Sequence, residues 1–251
     1  MIEQSFKFLH GFNRELQREM HRRGIRTWSD FLERESVEGI PDDVKSAVDN
    51  QLREMSEALE NKEYRYFAKN IPPSSHWRLY RRLKDERRLC YMDIETTGLQ
   101  FFNDEVTVVG IFDGSYHQAL IAGVDLTAEN IRTLLSPFDM IVSHYGLKFD
   151  IPFLKYKYPD IDFCGLHFDL SFIGRKLEMG RGLKDMEKHF GITRDEDVAS
   201  LDGCHAVHLW ENYIEGNKES LDLLIQHNRN DTENLAVLAD RLYDYLVKID
   251  Y

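Results

Sequence analysis

The sequence predicts an α/β fold: a mixed β-sheet flanked by helices and preceded by a small all-helical N-terminal region. Three observations carry that expectation. Residues 1–60 show helical spacing and capping residues but no strand-like run. Three strand-like runs then follow in succession, at 89–99, 105–113 and 116–122. From there helical and strand patterns alternate, an order that puts strands in one sheet and helices on its faces. At 251 residues and 42% hydrophobic, the chain has room for one large domain, or one of about 160 residues with an appendage.

Residues 13–23 place Leu16 and Met20 four apart and stop at Gly24, a helix-ending residue. Thr27 or Ser29 can cap a short helix through Trp28, Phe31 and Leu32. Pro41-Asp42-Asp43 opens a longer helix with Val44, Val48, Leu52, Met55 and Leu59 on one stripe. The order helix, Gly24-Ile25, helix resembles a degenerate helix-hairpin-helix, a module that offers backbone N–H groups to phosphates; a plain helical packing unit is the competing reading. Residues 70–75, NIPPSS, read as a linker. The next segment interleaves Trp77 and Tyr80 with Arg78, Arg81 and Arg82, a pattern suited to stacking on bases and pairing with phosphates. The boundary is placed at residue 85, giving a helical region with a basic linker at 1–85 and a second domain at 86–251.

In the second domain, Gly114-Ser115 fits a hairpin between two strands. A helix at 126–135 ends at Ser136-Pro137, and a fourth strand is expected at 140–143 before a loop at 144–148. A helix at 151–156, a fifth strand at 164–168, and helices at 170–177, 183–190 and 206–215 complete the alternation. The tail, 218–251, reads as helical with a break near 227–230.

The three cysteines, Cys90, Cys164 and Cys204, are scattered and lack a CxxC, which argues against a disulfide framework. With no signal-like N-terminus and no apolar run near eighteen residues, the expectation is a soluble, cytoplasmic protein with no membrane partner. The net charge of −12 is unevenly spread. Residues 62–88 hold nine Lys/Arg against three acids, whereas 89–251 hold 14 basic and 28 acidic residues. A local basic strip can guide phosphate despite global repulsion.

The chemistry concentrates in LCYMDIETTGL, residues 89–99. On a strand, Asp93 and Glu95 project from one face, roughly 6–7 Å apart. Like charges that close and desolvated resist joint ionisation unless a cation intervenes, and hard divalent ions take carboxylate oxygens. Asp150 follows a strand and loop at the head of an apolar helix, and His227 and Asp231 share a helix face at i, i+4. Singly, each has an ordinary explanation, helix-dipole compensation or a surface pair. Zinc-like spacings also occur, Cys164-x2-His167 and Cys204-x3-His208, without the paired CxxC of structural sites.

Taken in order, strand with DxE, then FD after a later strand, then HxxxD on a C-terminal helix, the chain resembles the DEDD (DnaQ-like) 3′–5′ exonuclease superfamily of the ribonuclease-H-like fold. It looks closest to the YprB-like branch of predicted exonucleases, through Trp77-Arg78-Leu79, His167 to Leu170, Gly182 to Glu187, Leu201 to Trp210 and Asn228 to Leu235. The resemblance implies that Asp93, Glu95, Asp150 and Asp231 hold two Mg²⁺ or Mn²⁺ ions for phosphodiester hydrolysis. His227 would serve as catalytic base, and Thr96, Thr97, Gly98, Leu99, Phe149, Trp77 and Arg78 would meet the substrate. The implied partner is DNA or RNA, engaged at a single-stranded 3′ end. Two positions depart from the pattern. The superfamily places Tyr four residues, or His five residues, before the last Asp, where this chain has His227 and Gln226; and Tyr145 stands where the branch carries Asn. A structure-selective endonuclease, or a binding module with a vestigial site, is the alternative.

Overall fold

In a computed structural model the described residues are 1–163, 165–180 and 182–250. They form two compact units, divided between Arg81 and Arg82.

The N-terminal unit is helical. Asn13 caps α1 (Arg14–Arg22) by accepting the Leu16 N–H at 2.8 Å, and Gly24, at φ +82°, ends it. Thr27 and Asp30 form a reciprocal capping box on α2 (Trp28–Leu32). The longer α3 (Asp42–Glu60) and then α4 (Tyr64–Asn70) follow. Phe6, Phe12, Phe31 and Trp28 are buried with Met20, Leu52 and Met55, the three phenylalanine rings 5.6–6.1 Å apart. The amides of Arg23 to Thr27 are all spent inside the unit, on carbonyls of α1 and on the Asp30 carboxylate. This hairpin therefore offers no free N–H to a phosphate. The expected linker at 70–75 also differs: Pro72-Pro73 starts a 3-10 helix, Pro73–Leu79, whose residues from Ser75 onward are buried. Proline's fixed φ suits a first helical turn as well as a linker. A short α5 (Tyr80–Asp85) comes next.

The C-terminal unit is built on five strands: β1 (Leu89–Thr96), β2 (Val106–Phe112), β3 (His117–Ile121), β4 (Met140–Ser143) and β5 (Leu166–Asp169). Their order is β3-β2-β1-β4-β5; β1, β2 and β3 pair antiparallel, while β4 is parallel to both β1 and β5. The mixed sheet flanked by helices agrees with the expected class. The helices are α6 (Ala128–Leu135), α7 (Asp150–Lys157), α8 (Leu170–Lys176), α9 (Leu183–Phe190), α10 (Gly203–Ile214) and α11 (Lys218–Asp250). One face of β1, Cys90, Met92 and Ile94, joins Val109, Ile111, Ile131, Ile151 and Phe153 in the main core under α6 and α7. The other face, Tyr91, Asp93 and Glu95, pairs in register with Phe112, Gly110 and Val108, and Val108 packs with Ala206 of α10 and Leu224 of α11.

Two boundaries differ from expectation. Cys164, expected to open the fifth strand, lies outside the described residues, and β5 extends to Asp169, whose carboxylate caps α8 through the Ser171 N–H at 3.0 Å. The tail shows no break at 227–230. Of the asparagines, which ordinarily compete with helix backbone, Asn228 directs its amide outward to Asp93, and Asn230 shares its amide between Asp195 and the Gln226 carbonyl one turn back.

Candidate active site

β1 delivers Asp93 and Glu95 to the face beneath α11, and a register irregularity between Glu95 and Thr96 ends the ladder just beyond them. Asp93 lies opposite Gly110, and that glycine is required: a Cβ there would stand 1.6 Å from Asn228 Oδ1. The space lets Asn228 of α11 reach across β2 and donate its Nδ2 to the Asp93 carbonyl at 3.2 Å and to Asp93 Oδ2 at 3.0 Å. Its Oδ1 lies 3.2 Å from His117 Nε2. Asp150 begins α7 and is buried. The loop that carries it is tied down by Asp169, which accepts the N–H groups of Tyr145 at 2.9 Å and Leu147 at 3.0 Å. Tyr145 takes a positive φ of +66° to satisfy this arrangement.

On α11, His227 Nε2 lies 3.6 Å from Asp231 Oδ2, and ligand atoms of Glu95, His227 and Asp231 all fall within 4.8 Å of one another. Gln226, one residue earlier, turns instead to Asp195 at 3.2 Å. The histidine at the four-residue spacing is thus the one that faces the acids.

One partner was not foreseen. Arg194, on the loop after α9, pairs with Asp231 Oδ1 through Nη2 and forks onto Glu187 with two contacts of 2.7 Å. Asn234 donates to the same Glu187 at 3.0 Å. The motifs quoted from sequence held Glu187 and Asn228 but gave them no task. Gly110 inside a strand is the signal that could have pointed to a close approach; nothing in the charged stretch around Arg194 signalled its place.

The electrostatics follow from this packing. Burial pushes Asp93 and Glu95 well above the ordinary carboxylate range, the charge of Asp231 adding to it and Arg194 opposing. Burial raises Asp150 to about 7 against donation from backbone amides of Asp150 and Ile94, with the Asp169 charge reinforcing the rise. Burial lowers His227, and Arg194 helps, against the pull of Asp231. Among the described residues, Glu95 Oε1, His227 Nδ1, Asp231 Oδ1 and Arg194 Nη1 are buried with no hydrogen-bond partner. Carboxylates that resist ionisation beside orphaned donor atoms are what a hard divalent cation would relieve, so the donor set fits one.

The remaining sequence candidates are spread differently. Thr96 closes the turn after β1 by donating to the Gly98 carbonyl at 2.6 Å, and Thr97 Oγ1 accepts the Glu105 N–H at 2.9 Å. Leu99 is 82% exposed beyond that turn. Phe149 precedes α7 with its ring 5.6 Å from Phe153, half-buried against the core. Trp77 and Arg78, in the N-terminal unit, are only 6% and 5% exposed, the guanidinium 4.4 Å from the indole centroid. Each is therefore stacked on its neighbour and has little surface left for a base or phosphate. His205 and His208 pair with Asp202 and Glu211 rather than with each other.

Residues 90–243 match the RNase_H superfamily, and the chain belongs to that superfamily. Its fold is similar to part of a family B DNA polymerase from the archaeon Pyrobaculum calidifontis, at TM-score 0.54 and 16% identity over 64% of this chain and 25% of the polymerase. The chain thus corresponds to a quarter of that polymerase's length. It is also similar to Brucella melitensis NrnC with bound Mg²⁺ (TM-score 0.46, 18% identity, 64% of this chain and 75% of that one) and to Escherichia coli RNase D (0.40, 12%, 70% and 48%). A comparison with curated proteins finds no match. Among the described residues no helix is long and apolar enough to cross a membrane.

Proposed function

We propose that the C-terminal unit is a metal-dependent 3′–5′ exonuclease acting on DNA or RNA. The observation that carries the reading is the meeting of Glu95, His227 and Asp231 within 4.8 Å, beside Asp93 and near Asp150, from three separate parts of the chain. Membership of the RNase_H superfamily supports it. Asp93, Glu95, Asp150 and Asp231 would hold two divalent cations, Mg²⁺ or Mn²⁺. When bound, such ions supply an activated water and charge stabilisation for in-line displacement at phosphorus.

The chain's own groups do the rest. Asn228 fixes Asp93, and Asp169 fixes the loop that presents Asp150. His227, kept neutral by burial, takes the proton of the attacking water at Nε2, the ring nitrogen that faces Asp231. Next to Asp150 the surface turns aromatic and cationic: Tyr145 and Phe172 are exposed, Lys148 Nζ lies 5.8 Å from both ring centroids, and Arg175 lies 5.1 Å from Phe172. Rings for stacking and cations for phosphate suit an unpaired strand.

The test is release of mononucleotides from uniformly labelled linear and circular DNA and RNA, with Mn²⁺ and with a chelator. The expected result is Mn²⁺-dependent, chelator-sensitive release from linear strands alone. Cleavage of circles would instead give an endonuclease, and inertness on every end offered would overturn the reading.

A further inference from the structure

The acid cluster contains a cation of its own. The Arg194 side chain is 5% exposed, and its guanidinium is held through Nε and Nη2. Glu187, itself buried, holds Nε and Nη2 at 2.7 Å each, and Asn234 of α11 fixes that carboxylate at 3.0 Å. The adjoining Asp195 is pinned to the same helix: its N–H donates to Asn230 Oδ1 at 3.1 Å, and its carboxylate accepts from Asn230 at 2.9 Å and Gln226 at 3.2 Å. The loop is therefore registered against α11 one turn around Asp231. The remaining Nη2 contact is an ion pair with Asp231 Oδ1, an oxygen that has no hydrogen bond among the described residues, while Oδ2 is the oxygen nearer His227.

Two features point beyond a role in stability. The charge of Arg194 is already met by Glu187, so Asp231 is not needed to neutralise it. The two-point contact with Glu187 fixes the direction of the guanidinium as well as its charge, and in that direction Nη2 meets Oδ1 of Asp231.

We propose that Arg194, clamped by Glu187, is a positioning residue for Asp231: it occupies Oδ1 so that Oδ2 is the oxygen presented toward Glu95 and His227, and thereby sets the affinity of the cluster for a divalent cation. The inference rests on the metal-dependent reading above. Partners that orient a ligand carboxylate typically change metal affinity ten- to a hundredfold when lost.

The experiment is calorimetric titration of Mn²⁺ into the whole chain without nucleic acid, with far-ultraviolet circular dichroism and melting curves for each variant. Arg194→Lys keeps the charge and loses the fork. Removing one partner strands a buried charge and risks the fold, so the double variant Glu187→Gln with Arg194→Met removes both charges together. Both variants are expected to fold and to bind Mn²⁺ about ten- to a hundredfold more weakly. Their nucleotide release should recover at raised Mn²⁺, the requirement for metal shifting more than the saturated rate. Unchanged or tighter Mn²⁺ binding in a folded variant would overturn the role of Arg194 and leave the nuclease reading standing. Absence of Mn²⁺ binding by the wild-type chain would overturn both.

Discussion

The two faces of β1 are built from alternate residues of one eight-residue strand, yet they obey opposite rules. Toward α6 and α7, Cys90, Met92 and Ile94 pack into the apolar core, and removing them from water is favourable. Toward α11, Glu95 is buried and Asp93 partly so, at an electrostatic cost that burial and neighbouring carboxylates compound. A fold does not need the second face. On the proposed reading its cost prepares a site whose remaining negative charge, beyond what Arg194 offsets, a bound cation would balance, while the first face packs the strand that carries the acids.

That contrast can be broken by exchanging the effects of mutations on its two sides. Asp93→Ala is expected to lower nucleotide release by about 10³-fold or more, equivalent to several kcal/mol of transition-state stabilisation, without loss of metal-free stability. Met92→Ala, one residue away and fully buried, is expected to cost about 2–5 kcal/mol of stability while release per folded molecule stays near wild type. Paired melting curves and rate measurements check both. Equal damage to stability from the two substitutions would abolish the distinction between the faces.

A smaller effect sharpens it through pH. Asp150 has its folded value raised to about 7, above the ordinary unfolded value of about 3.9. The folded state thus binds this proton more tightly, and the stability it contributes is present below about pH 4 and lost as pH rises through about 7. Asp150→Asn removes the titration. Without metal, its melting temperature relative to wild type should climb between pH 5 and 8, by an amount equivalent to roughly 2–4 kcal/mol at the alkaline end. A difference that stays flat across that range would mean that Asp150 is not held in the desolvated place described.

Much of this was legible in the sequence because local rules and the final fold agree. The alternation in LCYMDIETTGL marks both faces of β1, and the capping residues Asn13 and Thr27 do locally what they do in the structure. The rest depended on contacts that local rules do not encode. The asparagines of α11 look like helix breakers until Asp93 and Asp195 receive them. The tandem prolines at 72–73 look like a linker until the residues after them are buried. Trp77 and Arg78 read as nucleic-acid contacts because stacking of an arginine on an indole has the same composition within a fold as at an interface. Arg194 has no local signature; its partners lie 7 and 37 positions away.

The most direct test is anomalous scattering from a crystal of the protein grown or soaked with Mn²⁺ and a short single-stranded oligonucleotide. Manganese peaks bounded by Asp93, Glu95, Asp150 and Asp231, with the phosphodiester of the 3′-terminal nucleotide against them, are the predicted result. A fully loaded crystal with those carboxylates metal-free, and manganese elsewhere or nowhere, would contradict it.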